Sequence, residues 1–249
     1  MKNLEASFSI FTMKGVLPFL LRGVAFTVVI SAVAVLVGVV FGYLLAIARN
    51  YCTKKDNRIL GILATLYIEL FRNTPLLLWI FICLVFLPIP GFLKRKMLGL
   101  SSVEAGLLFK GAFALILFES SVIAEIVRGG LNAIPAGQFE AAKSQGFSSV
   151  QTMIYIILPQ VYHKIVPTLL SQVISTIKDS SYLANIAIIE LMARTKQVLA
   201  NANRYNGTGQ INVSDVFVLF GFAFAIYFVI DFTLSIIVRR TAKKELRAR

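Results

Sequence analysis

The chain has 249 residues, of which 57% are hydrophobic and 15% charged. Soluble domains run at about 45–50% apolar and about 25% charged residues, so the composition excludes a water-soluble globule and predicts an all-α membrane protein with several spans. Lys and Arg outnumber Asp and Glu by 25 to 12, a net charge of +13; in a soluble chain that excess would suggest nucleic acid, but here the basic residues flank apolar runs, where they orient helices in the bilayer. At about 20 residues per span, the length admits roughly five or six helices and leaves no room for a large soluble domain.

Along the chain, Lys2 and Lys14 precede an apolar run too long for the core of a signal peptide, and no cleavage site is expected. Residues 23–48 carry no charge and make one tilted span, with Gly38 and Gly42 in the GxxxG spacing, which fits either the close approach of a second helix or the plain frequency of glycine in membrane helices. A short basic loop follows at 49–58, with Arg49, Lys54, Lys55 and Arg58. Residues 59–71 read as a helix near the cytoplasmic interface; Arg72-Asn73-Thr74-Pro75 interrupts it, and 76–93 reads as the main second span, ended by Pro88 and Pro90. Lys94, Arg95 and Lys96 precede a third span at 107–126, which contains Glu119 and Glu125. Residues 128–151 are polar and punctuated by Gly and Pro. A fourth span at 152–177 carries Pro159 and Pro167, a polar tip occupies 201–210, a fifth span covers 216–238, and the tail from Arg239 is densely basic. Five spans put the chain ends on opposite sides. The excess of basic residues assigns 49–58, 128–151 and the tail to the cytoplasm and the N-terminus to the outside; Lys94, Arg95 and Lys96 then fall outside, against the rule.

Within the segment of about 128–159, residues 138–145 read as a short alanine-rich helix with Glu140 near its positive end. Gly146 closes it in the left-handed cap conformation, and Ser148 is placed to cap a second short helix running to Ile157. A preorganised helix–Gly–helix unit at a membrane face suits insertion into a groove on a partner, although composition alone fits an ordinary interhelical loop.

The spacing Glu140-Ala141-Ala142, three residues, Gly146, nine residues, Ile156, one residue, Leu158-Pro159 resembles the EAA loop of ABC importer membrane subunits. Glu69-Leu70-Phe71-Arg72-Asn73-Thr74-Pro75-Leu76-Leu77 resembles the second-helix motif of the polar amino-acid permeases in that superfamily. Ala124-Glu125-Ile126-Val127-Arg128-Gly129-Gly130-Leu131 and Ile134-Pro135-Ala136-Gly137-Gln138 resemble their stretch ahead of the loop. Ile177-Lys178-Asp179-Ser180-Ser181 is similar to their Lys-Asp-Thr-Ser segment, with Ser180 in place of Thr, and Glu190-Leu191 to the Glu-Leu that follows. The resemblance runs over roughly residues 16–238, to the histidine/glutamate/glutamine/arginine permease group. It implies the five-helix core of a type I ABC importer transmembrane domain, with 1–249 as a single permease domain. The implied activity is ATP-driven uptake of glutamine, glutamate or another polar amino acid, along a path formed by two permease subunits, identical or homologous. The implied partners are two ABC ATPase subunits docked at Glu140, Ala141, Ala142, Gly146, Leu158 and Pro159, and an extracytoplasmic solute-binding protein. The implied location is the bacterial cell (inner) membrane. ATP and magnesium belong to the partner ATPase; this chain carries no G-x-x-x-x-G-K-[ST] phosphate loop, no cofactor is expected on it, and it is expected not to be an enzyme.

The candidate substrate contacts are Asp179, Ser180, Ser181 and Glu119. A carboxylate can accept a charge-assisted hydrogen bond from an amino-acid ammonium; the plainer alternative is that Asp179 and the serines cap a helix break. Glu119 lies in an apolar run, where charges mark pathways; it can instead pair with Lys110. Glu125 and Arg128 are spaced i, i+3 for an ion pair, Arg72 is an interfacial anchor or a partner of Glu69 or Glu125, and Asp231 is expected to pair near Arg239 and Arg240. His163 and Lys164 read as interface residues. Cys52, Cys83 and the single histidine make no metal-ligand spacing, and no residue set converges for catalysis. The rival reading is an ion-coupled secondary carrier with Glu119 as its coupling site, a class that usually shows internal repeats; none is evident.

Overall fold

The computed structural model describes residues 2–51, 58–94, 99–206 and 209–247; Cys52, Lys54, Lys55, Arg95, Lys96 and part of the 201–210 tip lie outside them. Eleven α-helices are described: α1 Lys2–Ser9, α2 Val16–Tyr51, α3 Arg58–Arg72, α4 Leu76–Phe86, α5 Ser102–Asn132, α6 Ala136–Ser144, α7 Ser149–Gln151, α8 Leu158–Asp179, α9 Leu191–Ala200, α10 Ala202–Tyr205 and α11 Val213–Arg247. Four stretches are long and apolar enough to cross a bilayer: Val16–Asn50, Ser102–Asn132, Ser149–Ile186 and Val213–Arg240. The fifth crossing exists only if α3 and α4, bent by 108° at their junction, count as one broken span.

That junction corrects the expected second span. Helix α4 has 11 residues, about 16 Å at 1.5 Å per residue, well short of the roughly 30 Å hydrocarbon core. Pro75 has no N–H and forces Thr74 out of the helical region. As Thr74 leaves the helix, its hydroxyl donates to the Leu70 carbonyl at 2.6 Å. At the other end the helix stops at Phe86, ahead of Pro88 and Pro90. Two other boundaries also differ. The third span runs six residues further than expected, through Gly129 and Gly130 to Asn132, and at Gly130 it packs against Ile165 and Val161 of α8 with no room for a side chain. The second helix of the 128–159 segment is not short: it passes through a π-helical turn, Thr152–Ile157, into α8.

The chain forms two compact units, one of Met1–Val33, Leu77–Leu115 and Ser175–Thr233, the other of Ala34–Leu76, Ile116–Ile174 and Leu234–Arg249. The core of the second joins Ala46 of α2, Ile68 of α3, Ile123, Ala124 and Val127 of α5, and Val161 and Ile165 of α8. Gly38 and Gly42 make the α2–α5 approach possible: a Cβ at Gly42 would lie 2.7 Å from Ile123 Cγ2 and 3.0 Å from the Ala124 backbone nitrogen. The GxxxG spacing is therefore a packing seam.

The first unit has an apolar core of Ile10, Val16, Leu20, Val198, Ala202 and Leu219. Beside it runs a buried polar lattice. Asp215 accepts from the Ser7 hydroxyl (2.6 Å), the Asn206 amide (2.7 Å) and the Asn212 backbone (2.8 Å), tying α1 to the start of α11. Elsewhere, Leu36, Val40 and Leu44 of α2 and Phe217, Phe224 and Phe228 of α11 face outward, an arrangement that water would penalise and a lipid or subunit neighbour does not.

The Gly42 seam gives a direct test. Gly42→Ala forces α2 off the α5 backbone and should cost about 1–3 kcal/mol, whereas Gly129→Ala, with nothing within 4 Å of the added carbon, should be neutral or slightly stabilising. Thermal unfolding of the two purified variants in detergent measures the difference; equal melting temperatures would refute the seam.

Candidate functional site: the EAA segment and its supports

The segment between α5 and α8 is built from local rules. Pro135, extended at φ −60° and ψ 140°, starts α6, where a residue without an N–H loses nothing. Of the nine residues of α6 only Ala142 is buried; Glu140, Ala141 and Lys143 are exposed. The helix closes in a Schellman cap: the Phe147 N–H donates to the Ala142 carbonyl at 3.1 Å and the Gly146 N–H to that of Lys143 at 3.0 Å, with Gly146 at φ +81°. Two residues later Ser148 opens the next helix with a capping box. Its hydroxyl accepts from the Gln151 N–H (3.2 Å), and its own N–H donates to Gln151 Oε1 (2.9 Å). Both ends of the connection are thus satisfied without help from any other part of the chain.

The π turn has a chemical cause. Pro159 has no N–H for the carbonyl of Tyr155 and its ring crowds that carbonyl, and the helix widens just before it: the Leu158 N–H reaches back five residues, to Met153. Leu158 is half-buried and Pro159 exposed. Two side chains fasten the segment to the bundle: Gln160 Nε2 donates to Gln138 Oε1 at 3.1 Å, and Lys164 Nζ to the Ala133 carbonyl at 2.7 Å. The expectation of Lys164 as an interface residue thus becomes a specific tie. Phe147, Val150, Ile154 and Tyr155 stay exposed. With Ile47, Phe139, Lys143 and Met153, residues of this segment line an apolar groove of about 700 Å³. Of the six docking candidates, Glu140, Ala141, Gly146 and Pro159 are therefore presented outward, while Ala142 packs inward.

In the same unit five charges converge. Glu125 accepts from Arg128, through Nε at 2.8 Å and also from Nη2, from Arg49 at 3.2 Å and lies 3.7 Å from Arg72. Arg49 also holds Glu69 at 2.7 Å, and Asn73 donates to the other oxygen of Glu69 at 3.1 Å. The Glu125–Arg128 pair and the Arg72 partnership match expectation. The central role of Arg49 does not follow from the sequence reading, in which it only began a basic loop; α2 continues to Tyr51 and carries it inward.

The substrate candidates fall in both units. Asp179 ends α8, half-buried, and its side chain caps nothing, so the capping alternative fails for it. Ser180 is buried and its hydroxyl returns to the Ile177 carbonyl at 2.8 Å; Ser181 is half-buried. Glu119 belongs to the other unit, fully buried, accepting from Gln172 Nε2 at 3.0 Å. The suggested Glu119–Lys110 pair is not formed: nine residues along a helix is about 13 Å, and Lys110 donates to the Leu84 carbonyl at 2.6 Å. Nor does Asp231 meet Arg239 or Arg240, which lie about 12 Å or more further along the same helix; no ion pair forms at Asp231 among the described residues, and its Oδ1 has no hydrogen-bond partner. A buried carboxylate that the sequence reading noted only as part of a motif has a clearer role. Glu190 caps α9 through the N–H groups of Met192 (2.8 Å) and Ala193 (2.6 Å) and receives the hydroxyls of Tyr227 (3.1 Å) and Thr27 (3.4 Å). Among the described residues no group of three His, Cys, Asp or Glu side chains can hold a metal ion.

Comparison with known proteins bears on the family and the fold. The family pattern described as "Binding-protein-dependent transport system inner membrane component" matches residues 38–244. A probable glutamine ABC transporter permease protein, GlnP, of Bacillus subtilis (strain 168) is 34% identical over 90% of this chain and 92% of its own length. The glutamate/aspartate import permease protein GltK of Escherichia coli O6:H1 is 33% identical over 91% and 95%. Among solved structures, a chain described as an amino acid ABC transporter with histidines superposes with a TM-score of 0.71 at 26% identity, covering 94% of this chain and 98% of that one. The MetNI methionine ABC transporter, at 20% identity and a TM-score of 0.65, shares the fold over 92% and 98%. These matches fit a type I ABC permease and neither an ion-coupled carrier nor an enzyme, and the chain belongs to the family of binding-protein-dependent transport system inner membrane components.

Proposed function

We propose that this chain, as a single permease domain in the bacterial cell membrane, lines the path of a polar amino-acid importer, with glutamine or glutamate as cargo. Two copies, or one copy and a homologue, form that path. Two ATPase subunits bind ATP and magnesium and dock on the EAA segment, while an extracytoplasmic binding protein delivers the amino acid. The printed functions of the relatives support the cargo. The observation that carries the docking assignment is the self-capped α6–α7 connection, rigid through its own hydrogen bonds and outward-facing at Glu140 and Gly146. The same reading puts that segment and the C-terminus in the cytoplasm and the N-terminus outside. Asp179, with Ser180 and Ser181, is the proposed receptor for the cargo: a half-buried carboxylate at the end of α8 with no capping task, suited to an ammonium ligand. Glu119, enclosed and held by Gln172, is the weaker candidate.

Docking is tested at Gly146. A β-branched residue at φ +81° is strained by about 1–2 kcal/mol, so Gly146→Val should distort the cap yet leave the spans inserted. Complexes purified from membranes should carry the variant with little ATPase bound and uptake close to background. Full uptake in vesicles would remove the EAA segment from the coupling path.

Orientation is tested by thiol labelling after both native cysteines are changed to serine. Cysteine at Ile211, exposed just before α11, should react with a membrane-impermeant reagent in intact cells, and cysteine at Ser148 only after permeabilisation. The opposite pattern would invert the topology.

Cargo binding is tested in proteoliposomes by Asp179→Asn. Loss of the charge should lower uptake at least several-fold while complex yield stays unchanged, since a charge-assisted hydrogen bond is worth about 1.5–3 kcal/mol. Unaltered uptake kinetics would demote Asp179, and Glu119→Gln would then be measured in the same assay.

A further inference from the structure

A second pocket, of about 480 Å³, lies in the first unit where the turn before α2 meets α9 and α10. Its walls are preformed. Val16 and Val198 belong to the buried apolar core, with Phe19 and Tyr205 packed against it. Gly15, at φ +97°, allows the sharp turn that presents Lys14 at the rim. The remaining lining includes the amides of Gln197 and Asn201 and the side chain of Tyr205, and no acidic residue.

The charge around this pocket is one-sided. Residues 191–206 contain Arg194, Lys196 and Arg204 and no Asp or Glu. Arg194 is buried, donating to the carbonyls of Ile189 (3.1 Å) and Phe19 (2.7 Å) with its guanidinium 4.2 Å from the Phe19 ring centre, so it is committed to the fold. Lys14, Lys196 and Arg204 are exposed, and no ion pair is made by any of them among the described residues. Lys196 precedes the pocket residue Gln197, and Arg204 precedes Tyr205. In the proposed topology this end of the chain is extracytoplasmic, where basic residues are not needed for orientation.

Resting on that topology, we propose that the pocket at Lys14, Gln197, Asn201 and Tyr205 receives an acidic side chain of the extracytoplasmic solute-binding protein, with Lys196 and Arg204 facing further acidic residues around it. The Lys14 ammonium and the donors of Gln197 and Tyr205 suit a carboxylate. The spread of cations beyond the pocket favours an acidic protein surface over a free amino acid, which would fill the pocket and leave Lys196 and Arg204 without counter-charge. Charge pairs of this kind at an interface rim act chiefly on encounter and register.

The test uses the intact permease–ATPase complex in nanodiscs, titrated with its solute-binding protein while ATP hydrolysis is followed. Lys14→Glu combined with Arg204→Glu should raise the half-stimulating concentration of the binding protein about tenfold or more without lowering the maximal rate. Lys14→Arg should stay near wild type, and added salt should weaken the wild-type response and not the doubly reversed one. An unchanged half-stimulating concentration in the reversed variant would overturn the inference. So would a lower maximal rate at unchanged half-stimulation, the mark of cargo binding at this pocket. If the binding protein fails to stimulate the wild type at all, the importer reading itself falls and this pocket's assignment falls with it.

Discussion

In a bilayer each helix end is a problem of unsatisfied backbone groups, since no water is at hand to take them. The breaks in this chain occur where a local substitute is encoded. Thr74, just ahead of Pro75, covers the Leu70 carbonyl with its hydroxyl. Glu190 covers the first N–H groups of α9. The α6–α7 connection closes through the Schellman cap at Gly146 and the capping box at Ser148. Each solution draws its partners from within a few residues, so the break points are stiff. The α6–α7 connection is therefore a shaped body held by its own hydrogen bonds rather than a loose tether.

The same constraint separates what the sequence discloses from what it hides. Rules that act over a few residues were legible: the glycine cap, the Ser148 N-cap, the Glu125–Arg128 pair and the GxxxG seam at Gly38 and Gly42. Where the competing terms came from distant parts of the chain, reading failed. Gly129 and Gly130 look like loop residues, yet the helix continues to Asn132, with Gly130 packed closely on Ile165 and Val161 of α8. Helix-to-helix charge contacts were hidden for the same reason: nothing near Arg49 in sequence announces that it faces both Glu69 and Glu125. The short α4 is a different kind of miss: Pro88 and Pro90 lie within 76–93 and mark its end in the sequence, yet the 11 residues they leave helical are too few to span alone.

The ionic cluster illustrates how partial burial sets a role. Arg49, Glu69, Arg72, Glu125 and Arg128 keep between 21% and 45% of their side-chain surface exposed, a range in which single ion pairs contribute little to stability. Their value lies in connectivity. The cluster joins the end of α2, the end of α3 and the last turns of α5 by contacts of defined geometry, just ahead of the helix break at Pro75 and of the α5–α6 link. Removing Glu125 would leave three guanidiniums close together, so the carboxylate fixes the arrangement more than any one pair strengthens it.

Between the rigid EAA connection and the long α8 stands the π turn at Thr152–Ile157. A π turn carries one more residue than the α-helical turn it replaces and shifts the angular position of the side chains that follow. Here Pro159 keeps the turn from relaxing to regular α-geometry, because it offers no N–H to the Tyr155 carbonyl. The widened turn therefore belongs to the ground state of the fold. It leaves Tyr155 and Ile154 exposed beside the apolar groove while Ile157 and Val161 stay in the core. Replacing Pro159 with an ordinary residue would restore a donor for that carbonyl, let the helix take up the α-register and rotate the outward face of the EAA segment relative to α8. On this geometry the Leu158-Pro159 end of the EAA pattern sets the angle at which the capped helices are presented, a role separate from any contact those two residues make.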